Sequence, residues 1–347
     1  MTRVAILGAG DMGTGLTTPA AQNGHEVRLW GTELDGAIVS ALRAGQNHPR
    51  LRVPVASSVR VFAEEEAKEA LSGAELVVVA VTSNAVRKIV TRVGPLLQQA
   101  QVLMTVAKGF DEDAARTVQL LPDVIAEVYS GPIVAVGGPS KANEVAMGLP
   151  TSVVYAGPPD AVAVCQSVFA TPTYHIEATD DVVGVEVAAA MKNAYAIAMG
   201  VADGLERRTG RPYNNLRSAL FPQAVRELVA LAEGLGGRRE SVLGLAGIGD
   251  LQVTLTAGRN RLLGERLGLG ERPDVAFAEL TSQGTTVEGY LATDFGYRLA
   301  REMVGIDGEV AARFPLLDAL WAILYQHASP LERLWSVACG AGIEASA

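Results

Sequence analysis

A glycine-rich turn near the start of the chain is the feature that most restricts its fold. Residues 8–13 read Gly-Ala-Gly-Asp-Met-Gly, directly after the apolar run 4–7, and the segment that follows can be helical. Gly8 suits a tight turn, Gly10 leaves room for a ligand to approach the backbone, and Gly13 lets the helix pack on the strand. The free N–H groups at such a helix start attract an anion. The pattern therefore predicts a strand, a turn and a helix that bind the diphosphate of a dinucleotide.

Apolar runs separated by stretches of helical length recur through the first half of the chain. They occupy residues 4–7, 27–30, 76–81, 102–106 and 133–136, and residues 152–156 and 173–176 add two candidate strands. Such alternation predicts parallel strands joined by crossover helices. The run 76–81 is apolar throughout, as expected of a central strand covered on both faces. This context favours dinucleotide binding over the alternative, a glycine turn with only a structural role.

The second half of the chain has a different pattern. From Val182 it reads as successive helices rich in Ala and Leu, divided by glycine-rich breaks. We therefore predict an α/β fold in two parts. A doubly wound, Rossmann-type parallel sheet over residues 1–180 binds the dinucleotide, and an all-helical domain over residues 181–347 binds the substrate. A chain of 347 residues commonly forms two domains of this size.

Composition and charge narrow the class of ligand. Hydrophobic residues make up 49% and charged residues 19%, which is typical of a packed globular protein. The net charge is −9 and no run of Lys or Arg stands out, so nucleic acid is not an expected partner. No window of about 18 residues is apolar and uncharged, so no membrane span is predicted. An anionic ligand would therefore need a local cluster of positive charge.

The first residues and the cysteines bear on the location of the protein. The chain begins Met-Thr-Arg and enters its first predicted strand at once, which leaves no room for a signal peptide. Its two cysteines, Cys165 and Cys339, lie far apart in sequence and suggest no disulfide framework. Both observations predict a cytoplasmic protein.

One predicted helix of the second half carries a lysine in apolar surroundings. This predicted helix covers residues 185–204, and from Val187 to Val201 it is mostly apolar apart from Lys192, Asn193 and Tyr195. A helix that is apolar nearly all round is buried, and a buried ammonium is costly unless it is paired or faces a wet cleft. Lys192 is therefore a candidate proton donor. A structural ion pair, or a lysine that reaches to the helix edge, is the alternative.

A glycine-rich segment followed by polar residues is a second candidate. Glycines precede Asp250 within residues 244–251, so Asp250 is expected to cap a helix, with Thr254 one turn later on the same face. Arg259 follows Gly258, and its planar guanidinium suits a phosphate bound through two parallel hydrogen bonds. The alternative is that Asp250 is only a cap and Arg259 only a surface residue.

Polar residues also follow two of the predicted strands. Lys108 comes after the run 102–106, and Ser140 comes after the run 133–136. The carboxyl ends of parallel strands share one edge of the sheet, where ligands bind in open α/β folds. Both side chains are therefore candidates to face a ligand, although a strand-end lysine is often simply solvated. Glu288, an acid directly before a glycine, is a further candidate.

Taken together, these motifs resemble the bacterial-type NAD(P)-dependent glycerol-3-phosphate dehydrogenases. The match covers nearly the whole chain in order and spacing. Besides the glycine turn, it rests on Lys108-Gly109, Gly138-Pro139-Ser140, Glu144-Val145-Ala146, Met191-Lys192-Asn193, residues 247–251, Arg259-Asn260 and Val287-Glu288-Gly289.

The resemblance implies reduction of dihydroxyacetone phosphate at C2 to sn-glycerol 3-phosphate, a precursor of phospholipids. It implies that Lys192 is catalytic, with Asp250 and Lys108 around the reacting centre. The substrate-binding residues that it implies are Lys108, Ser140, Asn193, Thr254, Arg259 and Asn260. The cofactor-binding residues that we expect are Gly8, Gly10, Asp11, Met12, Gly13, Trp30, Thr32, Glu33, Ser83, Lys108, Arg259 and Glu288. No metal is expected.

Four positions depart from the usual family pattern. Met12 stands where a Trp is usual in the glycine turn, and Lys141 stands where an aromatic residue usually follows Gly-Pro-Ser. A Pro-Ser pair is replaced by Thr82-Ser83, and an Arg by Gln223. All four are expected around the ligand cleft, so the substrate could instead be a related phosphorylated ketone. The chain could also be a 2-keto acid reductase of the same architecture, or a regulator that binds NAD without turnover.

The segment after the second predicted strand bears on the cofactor. In dinucleotide folds an acid at this point binds the ribose 2′-OH, whereas an Arg accepts a 2′-phosphate. Here Trp30 is followed by Gly-Thr-Glu, and the carboxylate of Glu33 would repel a phosphate. NAD is therefore the expected cofactor, with NADP as the alternative. The expected partner is a small phosphorylated ketone or alcohol, and the helical domain could support a homodimer.

Overall fold

The computed structural model describes residues 1–340, and of Ala257 only the backbone. It divides into two compact units, Met1–Glu186 and Val187–Ala347, and the last seven residues of the second lie outside the described part. The boundary expected from the sequence falls after residue 180. The division of the structure falls inside the helix that begins two residues later, at Val182.

The first unit is built on strands that form mostly one sheet. They are β1 (Arg3–Leu7), β2 (Glu26–Trp30), β3 (Arg60–Phe62), β4 (Leu76–Val79), β5 (Val102–Thr105), β6 (Phe110–Glu112), β7 (Val118–Leu120), β8 (Ile133–Gly137), β9 (Thr151–Ala156) and β10 (Tyr174–Thr179). The large sheet has the order β10-β9-β8-β5-β4-β1-β2-β3, and β6 and β7 form a separate hairpin. Each apolar run predicted from the sequence forms a strand of the large sheet.

Helices connect these strands and cover both faces of the sheet. They are α1 (Asp11–Gln22), α2 (Gly36–Arg43), α3 (Ala67–Leu71), α4 (Ser83–Leu97), α5 (Leu121–Ala126), α6 (Ala142–Ala146) and α7 (Pro159–Phe169), with a 3₁₀ turn at Glu64–Glu66. The predicted α/β class with a Rossmann-type sheet is confirmed.

The two hydrophobic cores of this unit follow from the alternation of side chains along each strand. In β1, Val4 and Ile6 belong to the core on one face, whereas Ala5 and Leu7 belong to the core on the other. Every residue of β4 is buried in the same two-sided way, as predicted for a central strand. Burying a strand on both faces in this manner explains why these runs are continuously apolar.

Three features of the sheet were not predicted from the sequence. β9 runs antiparallel to β8, so the sheet is parallel from β3 to β8 and mixed at its far edge. β3 and the hairpin of β6 and β7 have strands of only three residues each and carry polar side chains, so no apolar run announces them.

The strand order reverses between β1 and β4. β1 pairs in parallel with β2 on one side and with β4 on the other. In open α/β sheets, ligands bind at the carboxyl ends of the strands where the order reverses in this way. The glycine turn that follows β1 lies at this point.

The second unit is helical throughout its described residues. Its helices are α8 (Val182–Thr209, which begins in the first unit), α9 (Asn214–Gly234), α10 (Arg239–Leu243), α11 (Asp250–Ala257), α12 (Arg259–Leu269), α13 (Pro273–Ser282), α14 (Glu288–Val304), α15 (Val310–Arg313), α16 (Pro315–Gln326) and α17 (Pro330–Cys339). A π-helical turn, Leu245–Gly249, precedes α11. The predicted all-helical second half is confirmed for these residues.

α8 is the central helix of this unit. Among the described residues, it is long and apolar enough, by length and composition alone, to cross a membrane. In the structure, however, 89% of its most apolar window is buried against other parts of the protein. α8 is therefore a core helix here, as its nearly uninterrupted apolar surface predicts.

Glycines allow α8 and α12 to pack backbone against backbone. A Cβ on Gly200 would lie 2.0 Å from the carbonyl oxygen of Arg261, and one on Gly264 would lie 1.9 Å from that of Ile197. Gly204 and Gly268 continue the same contact one turn further on. We call these four residues the glycine seam. It brings the N-terminal end of α12 close to the middle of α8.

Candidate active site

The glycine turn has the geometry that a dinucleotide requires. Gly8 has φ +110°, and a Cβ there would lie 2.6 Å from the carbonyl oxygen of Ala80. A Cβ on Gly13 would lie 2.0 Å from the carbonyl oxygen of Gly8. At Gly10, in contrast, the nearest described atom to an added Cβ is Nη2 of Arg50, at 3.8 Å. Gly8 and Gly13 are thus required by the fold, whereas Gly10 borders space that a diphosphate fits.

The other predicted residues of the turn divide between surface and core. Asp11 is the first residue of α1, and its Oδ1 accepts a hydrogen bond from Nε of Arg50 at 2.7 Å. Met12 is half-buried and packs against the core. Asp11 and Arg50, which comes from a later segment, therefore place one acidic and one basic side chain beside the N-terminus of α1.

Trp30, the last residue of β2, and Thr32, in the loop that follows, both support the backbone near the glycine turn. The side chain of Trp30 is completely buried, and its carbonyl oxygen accepts the N–H of Gly8 at 2.8 Å. It supports the turn through its backbone, and the expectation that its side chain binds the cofactor does not fit this burial. Thr32 is also buried, and its N–H and hydroxyl both donate to Oδ2 of Asp35, at 2.9 and 2.8 Å. Thr32 therefore shapes the loop beside the turn.

Glu33 is the acid that remains accessible at this end of β2. Its carboxylate is paired with Lys88, and Nη1 of Arg92 lies 3.8 Å away. The hydrogen bond from Lys88 lowers the pKa of Glu33. The sequence pointed to Glu33 by itself, but α4 brings two cations to the same place. Glu64 in turn pairs with Arg92, at 2.6 Å.

The predicted residues at the carboxyl edge of the sheet do come together. Nζ of Lys108 donates to the carbonyl oxygen of Gly138 at 3.1 Å, and Oγ of Ser140 contacts the same oxygen at 3.4 Å. Ser83 begins α4 and packs against Gly109, where a Cβ would lie 2.5 Å from that of Ser83. The ends of β4, β5 and β8 therefore present an ammonium and two hydroxyl groups at one edge.

In the second unit, Lys192 and Asp250 form a buried ion pair. Lys192 is 6% exposed and Asp250 is 2% exposed, and Nζ of the first donates to Oδ1 of the second. Nζ also donates to Oγ1 of Thr254 at 3.1 Å, and that hydroxyl donates to the carbonyl oxygen of Asp250 at 2.7 Å. Asp250 is the first residue of α11 and directly follows the N-cap residue, Gly249, rather than being the N-cap itself. Its carboxylate serves the lysine.

Two asparagines next to these residues connect three helices. Asn193 of α8 donates from Nδ2 to Glu288 at 3.3 Å and accepts at Oδ1 from Nδ2 of Asn260 at 2.8 Å. Oδ1 of Asn260 accepts the N–H of Gly289 at 2.9 Å. Both side chains are nearly buried. Asn260 therefore holds α8, α12 and α14 together, in addition to the substrate contact expected from the sequence.

Arg259 is accessible, in contrast to its neighbour. It is the first residue of α12 and is exposed, so its guanidinium lies at a helix N-terminus. Gly258 precedes it, and a Cβ there would lie 2.2 Å from the carbonyl oxygen of Thr254. Gly258, between α11 and α12, thus permits the backbone that leads into Arg259 to pass close to the backbone of Thr254. A guanidinium together with a helix N-terminus is suited to a phosphate.

The remaining departures from the family pattern are also accounted for locally. Nε2 of Gln223 donates to Oε1 of Glu227 at 2.7 Å, so this residue belongs to a buried hydrogen-bond network. Lys141 lies 3.7 Å from Glu144 at the start of α6. Thr82 precedes α4, and its hydroxyl donates to Oδ1 of Asn84 at 2.7 Å.

Sequence reasoning missed several residues around the dinucleotide turn. Asp35, His48 and Arg50 contact the turn, and Lys88 and Arg92 surround Glu33. They come from three separate segments, so no local motif joins them. The only signal in the sequence was that an acid, Asp35, follows the second strand after a few residues.

A Rossmann-type glycine turn and a buried lysine–carboxylate pair, each in its own unit, define a two-domain α/β-plus-helical dehydrogenase. The chain belongs to the NAD-dependent glycerol-3-phosphate dehydrogenase family. The N-terminal domain of that family matches residues 3–163, and its C-terminal domain matches residues 181–334.

Individual relatives match over nearly their whole length. An NADP(+)-dependent glycerol-3-phosphate dehydrogenase of Archaeoglobus fulgidus is 36% identical over 96% of this chain and 98% of its own. A glycerol-3-phosphate dehydrogenase [NAD(P)+] of Koribacter versatilis is 33% identical over 96% of each chain. The crystal structure of a glycerol-3-phosphate dehydrogenase from Coxiella burnetii superposes with a TM-score of 0.83, at 30% identity and with 97% and 98% of the two chains covered.

Proposed function

We propose that this protein reduces dihydroxyacetone phosphate to sn-glycerol 3-phosphate with NADH or NADPH, reversibly, and so supplies the backbone of glycerophospholipids. The observation that carries the proposal is the buried Lys192–Asp250 pair in a chain that matches this family in both halves. The match over both halves does not favour a 2-keto acid reductase. It is also specific enough that we take the usual substrate of the family over another phosphorylated ketone.

The bound nicotinamide supplies the hydride for C2 of the ketone. The task of the protein is then to stabilise negative charge on the carbonyl oxygen and to protonate it. Nζ of Lys192 performs both steps, because an ammonium can donate a hydrogen bond and then its proton to that oxygen. Asp250 and Thr254 hold Nζ at one position, so little reorganisation is required during the reaction.

The phosphate of the substrate is bound away from the reacting carbon. Arg259 provides a fork of N–H donors, and the first turn of α12 adds its own N–H groups. Binding energy from this remote group orients the ketone toward Lys192. The hydrogen bond between Asn193 and Asn260 joins α8 to α12, and each asparagine directly follows the residue that carries the ammonium or the guanidinium.

The first unit contributes the cofactor site. Gly10 and the start of α1 would hold the diphosphate of the cofactor, and Lys108 adds positive charge at the carboxyl edge of the sheet. Of the two cofactors we propose NADH as the preferred one, because Glu33 accepts a ribose hydroxyl and opposes a 2′-phosphate. The neighbouring cations of Lys88 and Arg92 attract a 2′-phosphate, so NADPH remains the second cofactor that we propose.

The proposal is tested by following NADH oxidation at 340 nm with three ketones. Dihydroxyacetone phosphate is expected to be reduced rapidly, and unphosphorylated dihydroxyacetone and 2-ketopantoate only slowly. Efficient reduction of 2-ketopantoate would favour the keto acid reductase, and NADH binding without any oxidation would favour a regulator that only binds the cofactor. We also expect a cytoplasmic location and a homodimer, which fractionation and sedimentation can check.

The phosphate site is tested separately with Arg259→Gln. The KM for dihydroxyacetone phosphate is expected to rise by about tenfold or more, because charge-assisted hydrogen bonds to the phosphate are lost. The kcat/KM for dihydroxyacetone should stay the same, because that substrate has no phosphate. Arg272→Gln, at an exposed arginine that pairs with Asp274, is the matched control and should change neither value.

A further inference from the structure

The backbone of Ala9, in the middle of the glycine turn, is held at its N–H and at its carbonyl oxygen by three other residues. Its N–H donates to Oδ2 of Asp35 at 3.2 Å. Its carbonyl oxygen accepts from Oγ1 of Thr14 at 3.0 Å and lies 3.2 Å from Nε2 of His48. Thr14 belongs to the helix that the turn begins, but Asp35 and His48 come from other segments. The turn is thus hydrogen-bonded to other segments at the two peptide groups on either side of the Ala9 Cα.

His48 is completely buried, and its ring serves two segments at once. Nδ1 accepts the N–H groups of Arg50 at 3.2 Å and Leu51 at 3.1 Å. Because Nδ1 accepts, the proton of the neutral ring is on Nε2, which therefore donates to the carbonyl oxygen of Ala9. One side of the ring shapes its own loop, and the other side holds the glycine turn.

We propose that His48 is a positioning residue for the dinucleotide cofactor, which it serves by fixing the peptide group between Ala9 and Gly10 in the conformation that binds the diphosphate. The inference rests on the proposed cofactor site. Glycine has more conformational freedom than any other residue, and Ala9 lies between Gly8 and Gly10. Without external hydrogen bonds, ordering this turn would cost free energy each time the cofactor binds. A turn that is already ordered avoids this cost and binds more tightly.

The charges around His48 make the contact sensitive to pH. Asp11 lies 3.9 Å from Nε2, and Asp35 and Arg50 are also close. Burial lowers the pKa of His48, and this effect outweighs the two aspartates, which favour the charged ring. A proton added to Nδ1 would point at the N–H groups of Arg50 and Leu51. Acidification is therefore expected to loosen the loop and to weaken cofactor binding.

Two substitutions separate the two sides of the ring. His48→Gln places an amide N–H at the depth of Nε2 and keeps a donor for Ala9. His48→Asn places an amide oxygen at the depth of Nδ1, so it keeps the acceptor for Arg50 and Leu51 but loses the contact with Ala9. We expect the Kd for NADH, measured by titration of protein fluorescence, to rise about fivefold in His48→Asn and less in His48→Gln, which corresponds to one net hydrogen bond. At saturating NADH, kcat and the KM for dihydroxyacetone phosphate should stay within about twofold of the parent values.

The pH dependence gives an independent readout. Because burial lowers the pKa of His48 below the usual 6.5, the Kd of the parent protein for NADH is expected to be constant above pH 6.5 and to rise as the pH falls below it, and in His48→Gln this rise should be absent. If His48→Asn does not fold, this comparison of the parent with His48→Gln decides the matter. A Kd for NADH that is unchanged in His48→Asn, or higher in His48→Gln than in His48→Asn, would overturn the inference and limit His48 to its own loop. Failure of the parent protein to bind NADH would instead overturn the proposed cofactor site.

Discussion

Lys192 and Asp250 are the residues on which the chemistry depends, but a buried ion pair can also be purely structural. Both charges are nearly completely removed from water. Replacing such a pair by neutral groups is often tolerated, whereas removing one partner leaves an uncompensated charge and costs about 3–5 kcal/mol. With a single substitution, loss of catalysis therefore cannot be distinguished from loss of stability. A double substitution separates the two effects.

We expect Lys192→Met to lower both the melting temperature and kcat. In the double variant Lys192→Met/Asp250→Asn, much of the melting temperature should return, because no buried charge is left unpaired. Its kcat should stay about a thousandfold below the parent value, since the proton donor is gone. Calorimetry and steady-state kinetics measure the two quantities. A double variant with kcat within tenfold of the parent would make the pair structural.

Glu33 is the residue that we expect to set the choice between the two cofactors. Its carboxylate engages Lys88 and lies close to Arg92, and both cations would be available to a 2′-phosphate if the carboxylate were neutral. Glu33→Gln is therefore expected to raise kcat/KM for NADPH by about five- to tenfold and to change the value for NADH little. Glu65→Gln, at an exposed glutamate of the 3₁₀ turn Glu64–Glu66, is the control. If the ratio of kcat/KM for NADPH to kcat/KM for NADH did not change, Glu33 would have no role in the choice of cofactor.

At the scale of elements, the glycine seam determines how precisely the substrate side of the site is built. Lys192 and Asn193 belong to α8, and Arg259 and Asn260 belong to α12. The two helices approach until backbone atoms touch, because the four glycines carry no side chains between them. The hydrogen bond of 2.8 Å between Asn193 and Asn260 depends on this approach.

Gly264→Ala tests this dependence. The new Cβ would lie 1.9 Å from the carbonyl oxygen of Ile197, and a helix backbone cannot move aside by itself. The helices must separate, so we expect a loss of about 1–3 kcal/mol in stability and a raised KM for dihydroxyacetone phosphate. Gly36→Ala is the control, because Gly36 starts α2 and no described atom lies within 4 Å of an added Cβ. Equal KM values in the two variants would contradict the role of the seam.

The same elements show what could be predicted from the sequence. Apart from the three-residue β3, the strands of the large sheet were predictable from apolar runs, because burial on two faces demands such runs, as in β4. Lys192 was predictable because a charge within an apolar helix needs a reason. The antiparallel pairing of β9 with β8 was not, because strand direction depends on the path of the chain between strands. His48 was also missed, because its partner Ala9 lies 39 residues away in sequence.

At the scale of the whole molecule, two buried carboxyl groups link stability to pH. Glu186 is completely buried, and neither of its oxygens has a hydrogen-bond partner within the described residues. Burial raises the pKa of Glu186 to about 8, the negative charge of Asp123 adds to this rise, and the positive charge of Lys108 lowers the pKa only in part. Glu227 is equally inaccessible, and burial raises its pKa to about 7.

The two groups differ in their surroundings. Oε1 of Glu227 accepts from Gln223 and from the N–H of Leu316, both at 2.7 Å. Oε2 accepts from the hydroxyl of Tyr195 at 3.1 Å and from the N–H of Leu317 at 2.9 Å. Glu227 on α9 thus caps the N-terminus of α16, whose first N–H groups have no partner within their own helix. An amide cannot replace this carboxyl, because its nitrogen accepts no hydrogen bond.

The sign of the pH effect follows from the direction of these pKa shifts. Both pKa values are raised in the folded state above the usual value of 4.5, so the folded protein holds protons that the unfolded chain has released. The resulting stability is complete below about pH 4.5 and is lost as the pH rises through 7 and 8. We therefore expect the melting temperature, measured by calorimetry, to fall between pH 5 and pH 9.

Glu186→Gln should reduce this fall and melt above the parent at pH 9, because its amide never has to ionise in an apolar site. Glu227→Gln should instead melt several degrees lower at every pH, because two of the four donors then face an N–H₂ group. If the parent and Glu186→Gln gave parallel melting curves across this range, the Glu186 carboxyl would not titrate within it.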